Sequence, residues 1–114
     1  MTDCGISKAL MAQFDVYLNS NPETSGAIPF LLDVQADLLD NLATRVVAPL
    51  FLAGVFGEPA SHLNPQFIIN QTKVVLSTAE MAGVPVNVLG EKVANLQDQR
   101  GEIIAALDFL FTGI

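Results

Sequence analysis

Apolar residues alternate at a period of two through one short segment of this chain after another. The 3.6-residue period of a helix is sustained only once, over residues 99–114. Several strands followed by a single terminal helix predict an α+β or mostly β domain, not an alternating βαβ unit. On the helical wheel Ile103, Ile104, Leu107, Leu110 and Phe111 share one face, with Ala106 at its edge. Asp108 and Thr112 lie together on the opposite side, and Phe109 also projects away from the apolar face. The helix is thus expected to have a core side and a second side bearing an aromatic, an acid and a threonine. That second side is the first place to look for function.

The strand segments are read in chain order. Residues 13–18 put Phe14, Val16 and Leu18 on one side and Gln13, Asp15 and Tyr17 on the other, the pattern of a strand with one buried face. Turn-forming residues fill 19–26. Ile28, Phe30, Leu32 and Val34 then alternate through 27–35, and the two segments are expected to pair as a hairpin. Residues 35–44 read as a polar connection interrupted by Leu38, Leu39 and Leu42. In the β-branched run 45–52, Pro49 predicts an edge position or a bulge, because it has no N–H for a ladder. Residues 54–65 read as a loop, and 66–70 and 72–77 as two short strands. Ser77 and Glu80 have capping-box spacing and predict a single helical turn. Residues 84–89 are expected to form a further strand and 91–97 a connection to the last helix, with Asp98 as its cap. The expectation is about five short antiparallel strands, as a small SH3-like barrel or sheet, and one long C-terminal helix. It covers one domain at 11–114, with 1–10 as an extension and Met11 able to serve as a start.

Composition removes several classes of function. Hydrophobic residues make up 51% and charged residues 15%, against roughly 25% charged in an average domain. A mean hydropathy of +0.46 in so small a chain predicts a homo-oligomer interface to cover apolar surface. The longest apolar run, residues 46–56, has 11 residues and contains Pro49 and Gly54, whereas a membrane helix needs about 20. Residues 1–10 lack the apolar stretch of a signal peptide. A net charge of −7 opposes direct binding of nucleic acid, which depends on Lys and Arg. Cys4 is the only cysteine, so no intramolecular disulfide forms and a cytoplasmic setting is expected.

Few residues suggest chemistry. Ser61 and His62 adjoin in a loop, but a catalytic triad depends on spatial orientation, and a surface loop explains them equally. One histidine and one cysteine do not make a zinc site. Asp33, Asp37 and Asp40 could hold a cation or act as turn formers. Leu38 and Leu39 are adjacent, so both cannot face one side of a pleated core; one is expected at the surface or in an interface. Asp108 sits in the last helical turn, where the macrodipole disfavours an anion by about 0.3–1 kcal/mol. A contact with a partner would account for it. Phe109 is expected to pack against a strand or a second protomer.

Five segments together resemble the CcdB toxins of CcdA/CcdB toxin–antitoxin pairs. They are Gln13-Phe14-Asp15-Val16-Tyr17, Asp33-Val34-Gln35-Ala36-Asp37-Leu38-Leu39-Asp40, Pro49-Leu50, Val84-Pro85-Val86-Asn87-Val88-Leu89-Gly90-Glu91 and Phe111-Thr112-Gly113-Ile114. The resemblance runs in order from residue 11 to the end. It implies a homodimer that is not an enzyme, needs no cofactor or metal, and binds the GyrA subunit of DNA gyrase to trap the cleaved-DNA complex. It further implies neutralisation by a CcdA-like antitoxin, through a disordered segment that folds on binding, and repression of the operon with the antitoxin making the DNA contacts. The gyrase-contacting positions of the family correspond to Gln13, Phe14, Tyr17, Leu38, Leu39, Asp108, Thr112, Gly113 and Ile114. Two depart from the family pattern: Thr112 stands where the family has tryptophan, and Asp108 where it has asparagine. Two rival functions follow. One is a gyrase-inactive homologue acting as an antitoxin-binding module. The other is a MazF-like mRNA interferase, for which Arg45 is the only base near the region.

Overall fold

A computed structural model describes residues 11–37 and 43–113. Among these residues seven strands form one curled antiparallel sheet: β1 Asp15–Asn19, β2 Phe30–Asp33, β3 Thr44–Leu52, β4 Gln66–Ile69, β5 Thr72–Leu76, β6 Ala82–Pro85 and β7 Leu89–Asn95. A single helical turn, α1 Ala53–Phe56, follows β3, and the long helix α2 Arg100–Thr112 closes the chain. The sheet order is β4-β5-β3-β2-β1-β7, with β6 joined to β3 beside that path. The architecture is the expected mostly β sheet with a C-terminal helix, but with seven strands where about five were expected.

The first hairpin forms as the alternation predicts, with Val16 opposite Leu32 and Leu18 opposite Phe30. The one-sided burial of β1 does not hold. The pairing of β1 with β7 slips on either side of Tyr17. Asp15, Val16 and Tyr17 are therefore all buried, while Leu18, assigned to the core face, is 38% exposed. A bulge adds twist and re-aims side chains, which a strict period of two cannot anticipate.

Pro49 misled the placement of β3, which is a central strand and not an edge. It pairs along one side with β2, and on the other with β6 through Thr44–Val47 and with β5 through Leu50–Leu52. The Pro49 carbonyl accepts from the Ser77 N–H at 3.0 Å. Both main-chain groups of a strand residue point to the same side, so the proline nitrogen faces the gap where β6 gives way to β5. The missing donor costs no ladder bond there.

The connection expected at 91–97 is largely strand β7. The chain turns at Val86–Val88 and enters β7 through Gly90, where an added Cβ would lie 2.7 Å from the Leu18 carbonyl oxygen. Glu91 and Lys92 are exposed, as charges on an edge strand should be. Asp98 does not cap α2. The helix follows a 3₁₀ turn, Gln97–Gln99, and its entry makes no side-chain cap. The capping-box pair survives in altered form: the Ser77 hydroxyl donates to the Glu80 carboxylate at 2.7 Å, around the single turn Thr78–Glu80.

The core lies between the sheet and α2, built from Phe14, Val16, Phe30, Leu32, Leu50, Phe67, Ile69, Val74, Leu76, Leu96 and Ile103. The helix contributes Ile103 and Ala106, both fully buried. Ala106 is thus central to the buried stripe and not at its edge. Phe111, assigned to the core face, is 67% exposed. It sits roughly a quarter-turn round the helix from the stripe, in the final turn, where Thr112 and Gly113 are exposed as well.

The β4–β5 hairpin turns through Asn70 and Gln71, at φ +51° and +68°. Two positive values make this the type I′ turn that suits the strand twist and favours Asn-Gly. Asn tolerates its position; Gln71 carries a Cβ where glycine carries none. Gln71→Gly is expected to stabilise the fold by about 0.5–1 kcal/mol, read as a higher urea midpoint at unchanged slope. An unchanged or lower midpoint would show that the turn bears no strain.

Candidate functional site

The family-derived positions fall into two groups. The first surrounds the start of β1. The Gln13 side-chain amide donates to the Val34 carbonyl at 3.1 Å, and its N–H donates to the Asp37 carboxylate at 2.7 Å. Phe14 is fully buried at φ +71°, an outlying conformation for a bulky residue. It is held by its N–H on the Asp33 carbonyl and by its carbonyl accepting from the Leu96 N–H at 2.8 Å. Tyr17 is 5% exposed and donates to Asp15 Oδ2 at 3.2 Å. Burial, followed by the Asp15 and Asp33 carboxylates, pushes its hydroxyl far above the usual phenol range. Only Gln13 of these three keeps much surface; Phe14 and Tyr17 shape the site from beneath.

Behind this group lies a buried polar layer. Arg45, fully buried, meets Asp33 Oδ2 through Nε at 2.8 Å and through Nη2 at 2.7 Å. Asp33 Oδ1 accepts from the Gln35 N–H at 3.0 Å, and Gln35 Oε1 accepts from the Val46 N–H. Burial raises the Asp33 carboxyl above the usual carboxylate range, while Arg45 and the Gln35 N–H pull against that shift. Asp15 accepts from Asn95 at 2.8 Å and lies 3.7 Å from Lys92. Sequence spacing hid the Arg45–Asp33 pair, because it joins two strands across the sheet.

The second group is the end of α2. Asp108 and Thr112 are exposed on the side opposite the buried stripe. The Thr112 hydroxyl donates to the Asp108 carbonyl at 2.7 Å. Gly113 stops the helix in the left-handed region, φ 74° and ψ 19°, with its N–H on the Phe109 carbonyl at 2.9 Å. This is the glycine stop expected of a helix C-terminus. No basic residue occupies the last turn, so nothing in that turn offsets Asp108. Phe109 is partly buried. Its ring lies 6.0 Å from that of His62, giving the loop histidine a packing role.

The two groups do not meet within one protomer. Arg100, at the start of α2, lies over the Phe14 ring at 6.0 Å, and Gly113 is 13 residues further on, about 20 Å along the helix. Leu38, Leu39 and Ile114 lie outside the described residues, as does Asp40 of the carboxylate cluster. Asp33 and Asp37 are occupied by Arg45 and by the Gln13 N–H. Among the described residues no group of three or more His, Cys, Asp or Glu side chains is placed to hold a metal ion. Ser61, His62 and Glu102 line one cleft, but no hydrogen bond joins them into a triad. No helix among the described residues is long and apolar enough to cross a membrane. The family model described as CcdB protein matches residues 13–113 of the 114-residue chain, and the protein therefore belongs to the CcdB family of toxins from toxin–antitoxin systems.

Proposed function

We propose that the protein is a gyrase-directed toxin: a homodimer that binds GyrA through the end of α2, traps the cleaved-DNA complex, and is neutralised by a CcdA-like antitoxin with which it represses its operon. The observation that carries this reading is the state of the last helical turn. Asp108, Phe111, Thr112 and Gly113 are exposed, although α2 is otherwise the helix that closes the core. A large exposed aromatic beside an uncompensated acid on a rigid helix end suits a contact surface better than a solvated tail. The remaining exposed aliphatics, among them Leu18, Val46 and Val88, suit a homodimer. Such a dimer would let one protomer's Gln13 group and the other's helix end serve one partner, despite the separation of about 20 Å within a chain.

The mRNA interferase reading loses its main support. Arg45 is fully buried and bound to Asp33, so it offers no guanidinium to a phosphate. A supercoiling and cleavage assay with purified gyrase tests the proposal directly. Inhibition with accumulation of cleaved DNA is the expected result; RNA cleavage without gyrase, or no effect on either, would count against it.

Thr112 sets the expected strength. A tryptophan anchor at an interface is worth about 2 kcal/mol or more, and threonine supplies neither the area nor the ring face. Thr112 is exposed and bonded only to its own helix, so its replacement leaves the core intact. Thr112→Trp is expected to tighten GyrA binding by about 30-fold in a titration with the isolated GyrA fragment. Unchanged or weaker binding would remove Thr112 from the contact.

A further inference from the structure

Phe14 keeps a left-handed backbone, φ +71°, although it is bulky and fully buried. A conformation of that kind persists only where the surroundings over-determine it. The angle is set by the peptide plane that joins Gln13 to Phe14, whose C=O and N–H turn together because the unit is planar. Rotation of that plane would let Phe14 relax. Its N–H end is held by the Asp33 carbonyl. Its C=O end, on Gln13, needs a donor of its own.

That donor comes from Asn95, the last residue of β7 and the register partner of Asp15. Its amide nitrogen donates to the Gln13 carbonyl at 3.4 Å and to Asp15 Oδ1 at 2.8 Å, so it reaches the residues on both sides of Phe14. The oxygen of the same amide accepts from the Gln97 N–H at 2.7 Å, where the chain leaves β7 for the 3₁₀ turn before α2. Among short side chains only asparagine donates twice and also accepts. Asn95 is exposed, so core packing does not dictate this arrangement. The rest of Gln13 is tied as firmly, its N–H to Asp37 and its side-chain amide to the Val34 carbonyl.

We infer that Asn95 is a positioning residue: it locks the peptide between Gln13 and Phe14, and so fixes the pose in which Gln13 is offered to a partner. That the partner is GyrA rests on the function proposed above. Asn95 needs no contact with gyrase for this. It acts through Gln13, and its bond to Gln97 sets the start of α2 from the same side chain.

The test compares Asn95→Asp, Asn95→Ala and the double variant Asp15→Asn with Asn95→Asp. Each is followed by amide exchange, urea unfolding and titration with the GyrA fragment. Asn95→Asp keeps the acceptor for the Gln97 N–H but loses both donors. In this variant the Phe14 N–H is expected to exchange about five- to tenfold faster, and GyrA to bind about five- to tenfold more weakly. The Leu76 N–H, in β5 and separated from β1 by two strands, is expected to exchange at its original rate. The double variant restores a bond between the two side chains but no donor for the Gln13 carbonyl. Its urea midpoint is expected to recover, while fast Phe14 exchange and weak GyrA binding persist. Recovery of GyrA binding along with the midpoint would make Asn95 a structural link alone and overturn the inference. Unchanged Phe14 exchange in the single variants overturns it too, as does equal acceleration at Leu76, the mark of global opening. Should the aspartate variants fail to fold, Asn95→Ala, which introduces no charge, is decided by the same comparison of Phe14 with Leu76. Absence of GyrA binding by the unmodified chain overturns the proposed function instead, and exchange at Phe14 then still decides whether Asn95 locks the peptide.

Discussion

Deleting Gly113 and Ile114 is expected to abolish toxicity while leaving the protein folded. Phe111, Thr112 and Gly113 are all exposed, so removing Gly113 uncovers no core. The Gly113 N–H bond to the Phe109 carbonyl is lost, which frays the final turn. Away from buried features such changes cost about 0.5 kcal/mol or less. The functional loss is expected to be far larger. Interfaces concentrate their free energy in a few anchors worth about 2 kcal/mol or more each, and the left-handed Gly113 directs the chain out of the helix at this point. Cells expressing the truncated protein should survive, and its inhibition of supercoiling should disappear, while its urea midpoint and antitoxin binding stay unchanged. A truncated protein that still kills would show that α2 does not carry the contact.

The largest effect on stability is expected at Asp33. Asp33→Ala leaves the Arg45 guanidinium fully buried without its carboxylate, and breaking such a pair from one side costs about 3–5 kcal/mol. Against a total stability of about 5–15 kcal/mol, that change unfolds a substantial fraction of the molecules. The pair itself is not therefore a strong net stabiliser. Burial already raises the Asp33 carboxyl, so desolvation outweighs the attraction of Arg45 and the Gln35 N–H. Among the described residues, one buried side-chain atom, Arg45 Nη1, has no hydrogen-bond partner. Replacing both partners by apolar residues, as in Asp33→Leu with Arg45→Met, is expected to recover most of the loss or to exceed the starting stability. Urea unfolding of the two single variants and the double variant decides this. A double variant as unstable as Asp33→Ala would show that the polar layer contributes more than mutual neutralisation.

Local order was legible in the residues. The period of two at 13–18 and 27–35 specified a hairpin, and the Ser77–Glu80 spacing specified one helical turn. The 3.6 period near the C-terminus specified the only long helix among the described residues. These features depend on neighbours within a few residues, where side-chain direction follows directly from backbone period. The joint pattern of five segments was enough for the family.

What the sequence left open was decided by contacts between distant segments. Pro49 reads as an edge signal in isolation, and becomes harmless only because β6 ends and β5 begins beside it. Residues 91–97 read as polar connection, yet form β7 because β1 had a free side and Gly90 let the chain approach Leu18. Asp33 reads as one of a carboxylate cluster until the sheet brings Arg45 to it. Phe111 matches the helical period, but exposure depends on whether sheet lies beneath the last turn, and periodicity carries no such information. The sequence by itself determined the first hairpin, the terminal helix and the family of the chain. Only the tertiary structure decided which of its apolar and charged residues face another part of the chain and which remain for a partner, because burial is a property of what lies opposite.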